Sequence, residues 1–323
     1  MPYALCSTPQ QMVVFQQPDR PMRYYSFNTF LKERFGERAQ KITLDAGLTC
    51  PNRNGTRGTG GCAYCDAQGS GTGAATDTPD VREQAMAGMQ AVQRRYRAKK
   101  FIAYFQSFCN TYAPVPHLRG LYDSVVDLPG VVGLSVATRP DCLNTEVLDL
   151  LAGYSKHLMV TLELGLQSVH DKTLARINRG HSFQEFLDGY NLARNYPLRI
   201  CVHIIIGLPG ETAEHIQQTT HALAGLKPDG VKIHCLYIHR DTALEQDYLK
   251  GIFQPISREE FIASACDTLE LLPPATVIER LTGDPIKSRL VAPEWSLHKQ
   301  EILRSIEQEL ARRNSRQGQR WKE

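Results

Sequence analysis

RICVHIIIGLPGETAEHIQQTTHALAGLKPDGVKIHCL, residues 199–236, holds the architecture of this chain in miniature. Arg199–Ile206 is a β-branched run that reads as a strand. Gly207–Thr212 is a turn, and Thr212–Leu223 repeats its apolar residues at helical spacing. Gly230–Leu236 is a second strand. Two strands joined through a helix form a βαβ unit and run parallel. The same alternation extends outward. Lys41–Ala46, Phe101–Phe108, Val131–Ala137 and Leu158–Leu164 read as strands. Helical patterns fill Asp80–Arg97, His117–Asp127, Thr145–Ala152, Phe183–Arg194 and Arg258–Leu272. Six such units predict an α/β fold with a parallel sheet, either open and doubly wound or a partial (β/α)6 TIM-like barrel. VHIII and VVGLSV carry consecutive apolar residues, as strands covered on both faces do.

In either architecture the functional residues gather at the C-terminal ends of the strands. Those ends carry polar or glycine-containing segments: FQSFCNTYAP (105–114), ATRPDCL (137–143), ELGLQS (163–168) and GLPGET (207–212). A core over residues 25–272 is expected, with an N-terminal extension over 1–24 and a C-terminal extension over 273–323. The latter begins at Pro273-Pro274 and holds a short strand, Thr276–Leu281, a final helix, Leu297–Arg312, and a basic tail.

Across 323 residues, 37 basic side chains against 34 acidic ones leave a formal charge of +3, which neither requires nor excludes a nucleic-acid partner. No apolar run approaches the roughly 18 residues of a membrane span. The first residues lack the basic and apolar regions of a secretory signal, so no membrane association is expected. Nine cysteines, an odd number, do not read as a secreted disulfide framework; a reducing cytoplasm is the expected compartment.

Three of those cysteines lie together in CPNRNGTRGTGGCAYC (50–65). The two-residue gap lets Cys62 and Cys65 face one ion or cluster, and the glycine-rich stretch lets the loop fold back to bring in Cys50. Three thiolates are one short of a closed zinc site, but they suit a 4Fe–4S cluster with one iron open to a ligand. Zinc and a redox pair stand as alternatives.

Cys50, Cys62 and Cys65 with Tyr64 resemble the radical S-adenosylmethionine (SAM) signature, with a longer first gap than the commonest form. Together with LTCPNRNGT, AYFQSF…TYAP, ATRPDCL, ELGLQSVHDKTLARINRGH, HIIIGLPGET and VKIH, they resemble the bacterial YhcC/YtqA-type radical SAM family over about residues 25–295. They also resemble the radical SAM half of the elongator catalytic subunit, which acts on wobble uridine in tRNA. The resemblance implies a partial barrel with Cys50, Cys62 and Cys65 on the cluster. The open iron would chelate SAM, and one electron would release a 5′-deoxyadenosyl radical that abstracts hydrogen from substrate. Flavodoxin or ferredoxin would donate the electron.

The resemblance also implies roles at the strand ends. Tyr64 is expected beside the adenine. Glu163 is expected against the SAM ribose or amino group, since an acid ending a buried strand is costly without a partner. Gln167 either joins it or caps the next helix. Gly207 and Gly210 let backbone approach the adenine, or simply form the turn. Arg139 meets a SAM carboxylate or a substrate phosphate, or pairs with Asp141 within its own turn. Arg176, Arg179 and His181 either face substrate or cap a helix.

Two basic segments, RRYRAKK (94–100) and Arg312, Arg313, Arg316, Arg320 and Lys322, read as solvated helix ends or as a phosphate-tracking surface. The leading expectation is a tRNA-modifying enzyme that converts a carboxymethylaminomethyl group on wobble uridine to aminomethyl. Radical chemistry on a small metabolite or peptide is the second reading, and a zinc-stabilised, non-catalytic binding module the third.

Overall fold

The structure is a computed structural model that describes residues 22–69 and 77–323. Most of the expected N-terminal extension, including Cys6, and residues 70–76 of the glycine-rich loop lie outside the described residues.

Seven parallel strands form one open, curved sheet in strict chain order: β1 (Ala39–Leu44), β2 (Lys100–Phe105), β3 (Val131–Thr138), β4 (Met159–Gln167), β5 (Arg199–Ile206), β6 (Gly230–Cys235) and, at the far edge, residues 277–280. This is an α/β half-barrel. The sequence predicts six sheet strands and leaves residues 276–281 in an extension. The extra strand joins because Gly230 and Val231 pair with Val277 and Ile278. Its pairing potential lies in tertiary contact, which a four-residue run cannot advertise.

The helices are α1 (Phe27–Phe35), α2 (Val81–Tyr96), α3 (Val115–Val126), α4 (Thr145–Tyr154), α5 (Asp171–Arg176), α6 (Phe183–Arg194), α7 (Ala213–Leu226), α8 (Ala243–Leu249), α9 (Arg258–Leu271) and α10 (Lys299–Arg312). α2 to α4, α6, α7, α9 and α10 cover the convex side, whereas α1 packs against Ile102 and Met159 with Phe27 in the cavity wall, and α5 and α8 join Ile205 and Leu236 at the strand ends. A short antiparallel pair, β7 (Ile238–His239) with β8 (Leu290–Ala292), flanks the open end of the barrel. Helix starts follow local chemistry. Ser182 and Glu185 make a reciprocal capping box at α6, and Ser257 and Glu260 make another at α9. Helix α1 spans from one sheet edge to the other: Ser26 bridges Ile278, and the helix then leads into β1.

The two faces of the sheet differ. The outward residues of β4 to β6 (Leu162, Leu164, Leu166, Ile200, Val202, Ile204, Ile206, Val231, Ile233) are buried in one apolar cluster with the helices. The inward residues alternate with them: Thr161, Glu163, Gly165 and Gln167 on β4, Cys201 and His203 on β5, Lys232 and His234 on β6. The expectation of two apolar faces therefore fails. In an open half-barrel the concave side lines a cavity, so only one face of each strand meets a helix layer.

Candidate active site

The concave face and the strand-end loops enclose a cavity of about 640 Å³. Cys50, Cys62, Tyr64 and Cys65 line its mouth with Arg139, Gln167 and Arg179; Lys41, Tyr104, Glu163, His203, Lys232, His234 and Glu279 line its depth.

The cysteine loop follows β1. Gly60 and Gly61 both adopt φ of 78°, and the Gly61 N–H donates to the Asn52 carbonyl at 2.8 Å, folding the loop onto itself. Asn52 is fully buried and donates to the Asn178 carbonyl at 2.6 Å, pinning the loop to the segment after β4. Arg53 donates to the carbonyls of Cys65 and Asp66 at 2.9 and 2.5 Å. Arg179 reaches in from the same segment after β4, its Nη1 3.6 Å from Cys62 Sγ and its Nη2 donating to the Gly165 carbonyl at 2.7 Å. Only glycine permits that approach, since a Cβ at Gly165 would lie 2.6 Å from Nη2.

Among the described residues, no three His, Cys, Asp or Glu side chains converge closely enough to hold a single metal ion. A zinc site needs that convergence; thiolates on separate irons of one cluster do not. Three thiols facing one cavity form a soft donor set of the kind that holds iron–sulfur clusters. Three buried polar atoms on residues lining the cavity, Arg179 Nε, Ser107 Oγ and Glu279 Oε1, have no hydrogen-bond partner within the protein, as expected where a polar ligand docks. The residues present fit both groups.

Tyr64 packs against the apolar cluster of Leu174, Ile177 and Ile205, and burial pushes its hydroxyl well above the ordinary range. Gln167 ends β4 in a left-handed conformation, φ 77°, where the pairing with β5 shifts register. That kink turns its side chain into the cavity. Arg139 is buried and committed within the protein: Nε and Nη2 each donate to Asp141 at 2.9 Å, and the remaining bonds go to the carbonyls of Arg179 and Gly180. The pairing within the turn is thus the one formed. Gly207 (φ 93°) and Gly210 (φ 84°) shape the turn after β5, where a Cβ would meet Ile256 and Arg176 respectively. Neither lines the cavity. His181 is buried, one ring nitrogen 3.2 Å from the Gly165 carbonyl, and burial with Arg179 beside it pushes its pKa down to about 3. Arg176 is exposed.

Glu163 ends deep rather than at the rim. It meets Lys41 Nζ at 2.6 Å and His203 Nε2 at 2.9 Å, and forms an ion pair with Lys232. Burial alone would raise its carboxyl, but Lys232 and Lys41 hold it well below the usual carboxylate range. The partner that the sequence argument demanded is this pair of lysines. Sequence reasoning missed Lys41, Lys232, His203, His234 and Glu279. Their signal was a polar residue at every second position of otherwise apolar strands.

An open parallel half-barrel with a three-cysteine loop after its first strand and a polar interior defines a cofactor-dependent α/β enzyme. The chain belongs to the radical SAM superfamily: it matches that family over residues 55–223 and the Radical_SAM C-terminal domain over residues 228–312. It is 41% identical over 304 residues to an uncharacterized protein, YtqA, of Bacillus subtilis, covering 94% of each chain. It is 27% identical over 157 residues to elongator complex protein 3 of Homo sapiens, 47% of this chain and 28% of that one. Among solved structures, an archaeal Elp3 from Methanocaldococcus infernus superposes with a TM-score of 0.67 at 16% identity, over 86% of this chain and 64% of that one. The family implies SAM and a 4Fe–4S cluster as cofactors. Among the described residues, no helix is long and apolar enough to cross a membrane.

Proposed function

We propose that this radical SAM enzyme remodels the side chain of wobble uridine in tRNA: the methylene beside the carboxylate of carboxymethylaminomethyluridine gives up a hydrogen atom and one electron, matching the two-electron cleavage of SAM, and water releases the carboxymethyl unit as glyoxylate to leave aminomethyluridine. The observation that carries the reading is one continuous cavity with thiols at its mouth and a cationic, hydrogen-bonding depth. It has room for a nucleoside cofactor and a polar substrate arm together. The resemblance to the elongator catalytic subunit supports uridine as the target.

Cys50, Cys62 and Cys65 would hold the cluster, which when bound supplies the electron that cleaves SAM. Tyr64 and Gln167 would orient SAM, and the apolar wall behind Tyr64 excludes water. Exposed Lys172, Arg176, Arg240 and Lys287 follow the C-terminal ends of the strands and so surround the mouth, where RNA phosphates would dock. The basic segments that the sequence singled out lie elsewhere. Residues 94–100 lead into the start of β2, and the tail packs beside Pro273 and Thr276, ahead of the last strand of the sheet. Both are at the opposite end of the barrel. In the tail, Arg312, Arg313 and Arg320 are paired with Glu309, Asp267 and Glu270.

Nucleoside mass spectrometry of tRNA from a strain lacking the gene tests the reading. Accumulation of carboxymethylaminomethyluridine with loss of its aminomethyl derivatives is expected, and an unchanged profile would overturn it. Anaerobic reconstitution with dithionite, SAM and that tRNA should give 5′-deoxyadenosine faster than without tRNA.

A further inference from the structure

The depth of the cavity carries a charge that the binding of SAM at the mouth does not account for. Lys41 Nζ lies 2.6 Å from Glu163 and 2.8 Å from Glu279. Lys232 is ion-paired with Glu163 and lies 3.1 Å from the Tyr104 hydroxyl. Arg199, behind the floor rather than among the residues that line the cavity, brings Nη1 to 3.6 Å from Glu279, close enough to attract but beyond a hydrogen bond. Both carboxylates are fully buried, and Lys232 is only 4% exposed. Three cations therefore face two anions.

The neighbouring groups do not restore neutrality. Burial pushes His203 down to about 4 and His234 well below its ordinary value, so both imidazoles are uncharged. Burial likewise keeps the Tyr104 hydroxyl and the Cys201 thiol protonated. At the rim, Asp284 is shared by Arg280 at 3.2 Å and Lys299 at 2.8 Å, so it has no anionic charge to lend the floor. One positive charge is left over in a poorly hydrated cleft, where an unmatched charge is expensive. An ammonium has three donors, and two of those on Lys232 are engaged by Glu163 and Tyr104.

We propose that this floor is a carboxylate subsite: Lys232, with His234 beside it, receives a carboxylate on the substrate arm that enters beneath the cofactor. The inference rests on the reading of the site given above, since the carboxymethylaminomethyl arm ends in a carboxylate and its product does not. The subsite thereby separates substrate from product by one buried charge. Loss of the carboxymethyl group removes the anion and returns the floor to its unmatched state, which favours release.

Calorimetric titration of the reconstituted, SAM-loaded enzyme with 5-carboxymethylaminomethyluridine and with its carboxamide tests this. A charge-assisted bond in a buried site should favour the acid by about tenfold or more. Lys232→Gln makes the floor neutral and should bring the two ligands to within about twofold. Glu279→Gln adds a further positive charge and should widen the preference, an opposite sign that a general loss of folding cannot imitate. Equal binding in the wild type, or an unchanged preference in a folded Lys232→Gln protein, overturns the subsite. If neither nucleoside binds, N-methylglycine against its amide decides the matter: a preference for the acid that Lys232→Gln erases keeps the floor and removes uridine, and no preference removes the floor. An unchanged tRNA profile with the acid preference intact overturns the assigned substrate and leaves the subsite standing.

Discussion

The two faces of β4 show how one strand serves two purposes. Outward, Leu162, Leu164 and Leu166 are fully buried under the helices; inward, Glu163, Gly165 and Gln167 line the cavity one residue apart from them. The outer face supplies stability through apolar burial. The inner face holds charges and kinks that stability alone would not select. The strongest test of this division lies at the mouth. Cys62→Ala should abolish the visible absorbance of the anaerobically reconstituted enzyme and all 5′-deoxyadenosine formation, because two thiolates do not hold the cluster. Its melting temperature before reconstitution should fall only slightly. A coloured, active variant would remove the thiols from the centre of the argument.

On the other face the effects should reverse. Leu162→Ala leaves a cavity between sheet and helices and should cost about 2–5 kcal/mol in denaturant unfolding. Turnover per folded molecule should stay near wild type. A loss of turnover without a loss of stability would show that the faces are not separable.

The sequence displayed the outer face more readily than the inner one. Runs such as Arg199–Ile206 and Phe183–Arg194 match their observed bounds because β-branched residues and helical periodicity are local signals. The cysteine loop was legible for the same reason, its spacing and glycines being contiguous. Glu163 was singled out, but its partners Lys41 and Lys232 come from β1 and β6, far from β4 in the chain, and no local pattern joins them. Residues 277–280 became a sheet strand through contact with β6. Helix α1 went unread, since its role of spanning the sheet edges exists only once both edges do. The basic runs read equally as solvated helix ends or as a phosphate-tracking surface, because charge is local but the end of the barrel on which it falls is not.

The inner face should also dominate the pH dependence. His203 and His181 are held neutral by burial, near 4 and 3, whereas an unfolded histidine titrates near 6.5. Below about pH 6.5 the unfolded chain binds protons that the native one refuses, so stability is full above that value and falls as pH drops toward 4. Glu163, with its depressed carboxyl, adds a further loss below its ordinary range near 4.5. Thermal melts from pH 7.5 to 4 should show this decline, and His203→Gln should flatten its upper part. A flat profile in the wild type would mean that the concave face is wetter than its burial implies.

The smallest effect should come from comparing the two ends of the barrel. Arg94 and Arg95 are exposed at the closed end, with Arg95 over the Tyr96 ring at 5.1 Å. Lys172 and Arg176 are exposed beside the mouth on α5. Each phosphate contact contributes roughly one to the slope of log affinity against log salt. Replacing Lys172 and Arg176 by Gln should therefore lower that slope for tRNA by up to about two. The same change at Arg94 and Arg95 should leave both slope and turnover within about twofold of wild type. If the closed-end pair carried the slope, the RNA would have to wrap the whole barrel to bring its uridine to the thiols, and the mouth would lose its claim as the docking surface.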